Sequence, residues 1–431
     1  MDRKKTIKNN KNNARIYPIY KMLSFNLIFY HTISFLFLTN TKMFSVSEVL
    51  LIESFLPLFK MIFQIPTALL IKKIGSKKVL NIGNFLIIIY LLQLLTINNI
   101  TSFIFATAIF SIAIAFRELT TTSILHNSLN HHKGKGMYFK VETSGLYYHY
   151  IFDAITGIIA GFLFVKNAYL PVYFSILFAI LSFIISLFFN VSKKHKKEYE
   201  NIKKIKSIKI VEKTSKDMIK SIKFILKSNR IKALLLFGMI FFTYKCIFLT
   251  ARSAILAEII INPITFSSII AVLQLIGGIS VKYTDKYIRL FKNKILISFA
   301  RISMIAGLVA TIIFMFNINL QIKIIFIVLL FIMQYIVDLP YTTLMDKYLK
   351  SFASSETTIK IKMVYNIVIY TSQMLFTFTA SYILGYFSTG IAILIISIAY
   401  LIGLHIVSKY MKNRLGLKPK EYKKCDIEIL N

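Results

Sequence analysis

Twelve stretches of the chain stay apolar for about 20 residues each, enough to cross a hydrocarbon layer ~30 Å thick. They fall at about 22–39, 48–71, 79–97, 101–125, 140–165, 169–190, 231–256, 266–284, 295–316, 322–345, 361–385 and 388–408. No water reaches that depth, so each backbone N–H and C=O must be paired within its own segment. Each stretch is therefore expected to be a helix; a barrel would need alternating strands of about ten residues. Composition agrees, since 56% of the 431 residues are hydrophobic and 16% charged, whereas a soluble domain is about a quarter charged. The expected fold class is an all-α membrane protein with twelve transmembrane helices in two six-helix bundles.

The formal charge of +35 raises nucleic acid as a partner, because basic patches attract phosphate. Its distribution argues otherwise. Of 53 lysines and arginines, Lys42, Lys166 and Lys323 are the three in one alternate set of loops. Five more, Lys60, Arg117, Lys245, Arg252 and Arg301, lie within apolar stretches, and the other 45 sit in or beside the opposite loops and the two tails. Positive charge marks the cytoplasmic side, so both termini are expected inside a cell membrane. The same loops are suited to anionic lipid heads. No nucleic-acid partner is expected, and the abundance of Ile, Lys, Asn, Phe and Tyr fits an AT-rich, bacterial genome.

This reading divides the chain into a cytoplasmic tail (1–21), a six-helix bundle (22–190), a basic linker (191–230), a second bundle (231–408) and a cytoplasmic tail (409–431). The basic N-terminal stretch has no short apolar core before a small-residue cleavage site and reads as a tail, not a signal peptide. The linker reads as a solvated connection or, in part, a basic amphipathic helix on the inner leaflet. The two cysteines, Cys246 and Cys425, build neither a disulfide framework nor a metal site.

The halves resemble one another at a constant offset of 220 residues. Glu118 then meets Asp338, Leu119 meets Leu339, Thr122 meets Thr342, Ser123 meets Thr343 and Leu129 meets Leu349. The same offset carries Lys140-Val141 onto Lys360-Ile361. "IPTALLIKKIGSKKVL" (65–80) has a counterpart in "GGISVKYTDKYIRLFKNKIL" (277–296), another lysine-rich exit from an apolar helix. Shared order and orientation point to a parallel duplication, a plan used by secondary transporters.

Twelve helices, a long basic loop between halves and a basic glycine turn after the second helix resemble the major facilitator superfamily, over nearly the whole chain. That family's loop pattern is G-x-x-x-D-R-x-G-R-K. Ala68 takes the first glycine position, Lys72 the aspartate, Lys73 the arginine, Gly75 the second glycine, Ser76 the next arginine and Lys77 the final basic residue. "IPTALL" is similar to the lead-in of exporter-like, drug/proton antiporter members. The resemblance implies a gating loop of Ala68, Lys72, Lys73, Gly75 and Lys77. Lys72 cannot make the contacts of the family's aspartate, so that latch is altered or carried elsewhere. "GIIAG" (157–161) lets helices approach closely, but Phe162 stands where antiporter-type members have proline.

No phosphate loop, metal-protease or nucleophile-elbow motif is present, nor a potassium-filter sequence. The chain is expected to be neither an enzyme nor a cofactor protein, and transport would run on an ion or solute gradient. Charges inside spans cost several kcal/mol and mark water-filled paths or partners. Arg117 would lie about 12 Å deep and Asp153 about 15 Å deep, close enough in the fold for an ion pair. His149 and Asp153, four apart, share a helix face. Fold analogy places the first, fourth, seventh and tenth helices around a cavity. Glu118, Asp338 and Asp153 are then the proton-coupling candidates, and His31, Arg117, Lys245 and His149 the substrate-cavity candidates; no metal is expected. The leading reading is a monomeric alternating-access transporter that exports a small amphipathic or peptide-like solute against protons. Uptake by the same fold and a non-transporting sensor or immunity protein stay open.

Overall fold

A computed structural model describes residues 2–129, 134–190, 229–291, 295–351 and 355–411. Residues 191–228 of the expected linker and the tail beyond Met411 lie outside the described residues. All regular structure among the described residues is helical: α1 (Asp2–Ser24), α2 (Tyr30–Leu36) with a π-turn (Phe37–Thr41), α3 (Val46–Ile74), α4 (Ser76–Thr96), α5 (Ile100–Leu129), α6 (Gly134–Lys166) and α7 (Leu170–Leu187) come first. They are followed by α8 (Asn229–Ile259), α9 (Pro263–Lys282), α10 (Thr284–Phe291), α11 (Ile295–Met315), α12 (Leu320–Ser351), α13 (Ser355–Tyr386) and α14 (Thr389–Met411). Ten of these, α4 to α9 and α11 to α14, are long and apolar enough to cross a membrane.

The membrane character is plainest on α7, which is built inside out. It buries Ser175, Ala179, Ser182 and Ser186 and exposes Tyr173, Phe174, Leu177, Leu181 and Ile184. Small residues let neighbouring backbones approach, while large apolar ones suit lipid.

Two compact units divide the described chain. The first holds the described residues within Met1–Met43, Phe55–Lys213 and Pro263–Ala271; the second holds those within Phe44–Ser54, Thr214–Asn262 and Val272–Asn431. In the first, α4 packs on α5 and α7, and α1 packs on α6 and α7. In the second, α11 packs on α12 and α14, and α8 packs on α13 and α14. These pairings correspond helix for helix, which is what a duplicated sequence would produce. The close approach expected at "GIIAG" also occurs within the first unit. A Cβ on Gly157 would lie 3.2 Å from Ala271 Cβ, and one on Gly161 would lie 3.0 Å from Ile264 Cα.

Two sequence expectations change. The stretch 22–39 is not one helix: α1 stops at Ser24, and α2 starts only after Phe29, whose φ is 68°. Ser175 of α7 fills the gap. Its hydroxyl accepts the Tyr30 N–H at 3.1 Å and lies 2.6 Å from the Ile28 carbonyl oxygen. A broken helix is tolerated at depth when neighbours pair the freed groups in this way. Upstream of the break, Tyr17 and Tyr20, polar-tail residues by sequence, join a buried cluster with Leu80, Ile124, Leu125 and Phe189. Asn13 donates to Ser128 Oγ at 2.9 Å and to the Asn190 carbonyl at 2.7 Å, tying α1 to the ends of α5 and α7.

The second change is at the basic turn. Ala68, Lys72 and Lys73 stay helical in the last turns of α3, and Lys77 already belongs to α4. The turn is one residue, Gly75, at φ 90° and ψ 150°. Lysine is a good helix former and favours a helix C-terminus, so Lys72 and Lys73 prolong α3 rather than end it. An L side chain at such a backbone conformation costs about 1–3 kcal/mol. Gly75→Ala should therefore lower the apparent Tm of the purified protein. Gly403→Ala, where a Cβ would meet only Ile240 Cδ1 at 3.7 Å, should leave it unchanged or raise it.

Candidate functional site

The charged side chains expected inside the spans gather into separate clusters, described here unit by unit. In the first unit α6 carries His149 and Asp153 one turn apart, both without exposed surface. α2, just after the break, brings His31 Nδ1 to 3.7 Å from Asp153 Oδ2, and His149 Nε2 lies 3.9 Å from the same oxygen. The other ring nitrogen of His149, Nδ1, is 2.8 Å from the Met22 carbonyl in the last turn of α1. Phe25 packs edge-on against the same imidazole, with centroids 5.0 Å apart. Three sequence candidates, His31, His149 and Asp153, thus meet at the helix break.

Arg117 is buried nearby on α5, within electrostatic range of His149. The expected ion pair between Arg117 and Asp153 is not formed: among the described residues the basic side chains paired with that carboxylate are the two imidazoles. The reason is packing. Gly83 leaves room on α4 for the arginine stem, whose Cγ would be 3.3 Å from a Cβ at that position.

Glu118, the next residue, points elsewhere. It takes a hydrogen bond from Lys60 Nζ of α3 at 3.1 Å, and its side chain is 49% exposed. Half-exposed pairs of this kind contribute roughly 0–1 kcal/mol.

Its repeat partner, Asp338 of α12, lies in the second unit and is buried. Arg252 of α8 reaches Asp338 Oδ2 with Nη1 at 3.6 Å, and the Ser303 hydroxyl of α11 donates to Oδ1 at 2.7 Å. The guanidinium sits 4.4 Å above the Tyr335 ring. Gln334 extends the network, donating to the Ser303 carbonyl at 2.9 Å and to the Tyr244 hydroxyl at 3.2 Å. Lys245, the candidate on α8, is within electrostatic range of Asp338 and Arg252. In the same unit the Thr250 hydroxyl donates to Glu53. The sequence shows Arg252 as a charge within a span but gives it no partner. Ser303, Gln334 and Tyr335 carried no signal, being ordinary residues whose role comes from placement.

These features define a polytopic helical membrane protein with polar groups enclosed in its spans. A profile of the Major Facilitator Superfamily matches residues 19–368, and the chain belongs to that family. It is a family of transporters and not of enzymes. Curated proteins yield no match. Among solved structures, the fold is similar to the nucleoside transporter NupG at TM-score 0.66 and 13% identity, over 93% of this chain and 99% of that one. It is similar also to a POT family transporter in complex with 5-aminolevulinic acid, at TM-score 0.59 and 14% identity, over 95% and 96% of the two chains. A POT family transporter bound to a thioalcohol-conjugated peptide gives TM-score 0.58 at 14% identity, over 94% and 95%.

Removing one partner of a buried ion pair strands the other charge, at about 3–5 kcal/mol. Arg252→Leu and Asp338→Leu should each lower the apparent Tm markedly, and the double variant should recover most of the loss. Thermal unfolding of all three beside the wild type measures the coupling.

Proposed function

We propose that this chain is a proton-coupled secondary transporter that exports a small amphipathic or peptide-like solute by alternating access. The observation that supports coupling is the enclosure of a carboxylate, Asp153, inside a spanning helix with imidazoles as its nearest basic groups. A carboxylate so placed can gain and lose a proton within reach of a weak base, and intramembrane acids serve as proton relays in pumps and transporters. Of the three coupling candidates, Asp153 takes the lead. Asp338 is held by a permanent cation, and Glu118 is half exposed on Lys60. Arg117 and Lys245, each close to one cluster, remain candidates for solute contact.

In this reading all twelve apolar stretches span the membrane, the split first stretch and α3 included. Both termini lie on the cytoplasmic face of a bacterial plasma membrane. The protein works as a monomer, with anionic lipid heads against its basic loops, and Gly75 with the lysines around it forms the gating turn. Export is favoured over uptake by "IPTALL" (65–70), the stretch of α3 that leads into the basic turn.

The test compares solutes inside and outside cells that lack or overproduce the protein, with and without a protonophore. A compound that leaves only cells containing the protein, and stays when the protonophore is added, is the expected result. Gene-dependent accumulation inside the cells would reverse the direction. Asp153→Asn should reach the membrane at wild-type level yet export no more than cells lacking the protein.

A further inference from the structure

The hydrogen bonding of His149 fixes more than its position. A carbonyl oxygen only accepts, so the 2.8 Å contact with Met22 requires hydrogen on Nδ1. In a neutral ring Nε2 is then a bare lone pair, and it is aimed at Asp153 Oδ2, 3.9 Å away. Asn26 of the helix break lies beside the carboxylate, but no donor reaches either oxygen in hydrogen-bonding geometry. An ionised Asp153 would therefore be a buried charge helped by one amide outside full hydrogen-bonding geometry and opposed by a second lone pair. Both conditions are costly in a dry interior. One added proton removes both, and a closing movement of about 1 Å would complete a hydrogen bond between the groups.

His31 supplies the access. Its side chain is 32% exposed, while its Nδ1 lies 3.7 Å from the same carboxylate oxygen. It is the partly exposed member of the cluster, and it stands on α2 directly beyond the break. The surrounding elements add few other charges. From α1, Lys21 is paired with Glu142 of α6 at 3.1 Å, and from α5 comes Arg117. Neither α7 nor the Pro263–Ala271 stretch of α9 carries an acidic or basic residue.

We propose that Asp153 and His149 form a single-proton binding site, and that His31 is the route by which the proton reaches it. The proton rests on the carboxyl group, because the neutral acid facing a neutral imidazole avoids separating charge at depth. Since His149 also holds the Met22 carbonyl, the occupied site is tied to the end of α1 at the break. The proposal rests on the proton-coupled reading for its purpose, but its test needs no solute, so the two can fail separately.

The experiment is infrared spectroscopy of the purified full chain in lipid nanodiscs as pH is changed. The wild type should show a protonated-carboxyl band at neutral pH with a component that is lost in Asp153→Asn, while any contribution of Glu53 or Asp338 stays. His149→Gln, whose amide can donate to a carboxylate, should move loss of the band to lower pH. His31→Gln should leave the amplitude unchanged and slow the response to a pH jump severalfold. If Asp153→Asn does not fold, histidine nitrogen NMR of the wild type still decides. It should report His149 with hydrogen on Nδ1 and a hydrogen-bonded Nε2 at neutral pH. A wild-type spectrum without the band at neutral pH, or a band of undiminished amplitude in Asp153→Asn, would overturn the site. A His31→Gln response as fast as wild type would overturn the route.

Discussion

Inside a hydrocarbon layer nothing can hydrogen-bond a bare peptide group or solvate a bare charge, and the arrangement of this chain follows from that cost. Regular structure is helical because a helix pairs its own backbone. Where the chain departs from that rule, between Ser24 and Tyr30, a serine hydroxyl from α7 meets the freed groups. Where charge goes in, it goes in with company: Asp338 has Arg252 and Ser303, Lys60 has Glu118, and Glu53 has Thr250. Asp153 is the least well served of these groups, with two imidazoles near it and no formed hydrogen bond. The poorest-satisfied buried charge is the natural place to look for a proton that comes and goes.

The two units share the same helix pairings without the same chemistry. Glu118 and Asp338 stand at equivalent positions, yet one is half exposed on a lysine and the other is enclosed with an arginine. The residue before Asp338 is Val337, whereas Arg117 precedes Glu118. The first half has its enclosed carboxylate one helix later, at Asp153 of α6. Repeat symmetry thus identifies where polar groups are tolerated, while the job of each depends on its local partners.

Features that depend on nearby residues were legible in the sequence. The apolar stretches, the glycine turn at Gly75, the close approach at Gly157 and Gly161 and the offset of the halves are patterns of composition and spacing. Features that depend on distant partners were not. Asn13, Tyr17 and Tyr20 look like a polar tail, and contact with distant residues such as Leu80, Ser128 and Phe189 buries them. The break after Ser24 shows no proline or glycine to announce it. It exists because Ser175, about 150 residues later, can hold it open. Arg117 and Asp153 are legible in the sequence as charges within apolar stretches, but which neighbour each faces is set by the space at Gly83 and by the position of the break.

The most direct measurement places the purified chain in sealed vesicles with a pH-sensitive dye inside and supplies the solute identified from cells. With a proton gradient imposed, solute movement should be accompanied by proton movement the other way, and Asp153→Asn should abolish the gradient-driven component. Solute crossing at the same rate with the gradient collapsed, and without a change in internal pH, would contradict proton coupling.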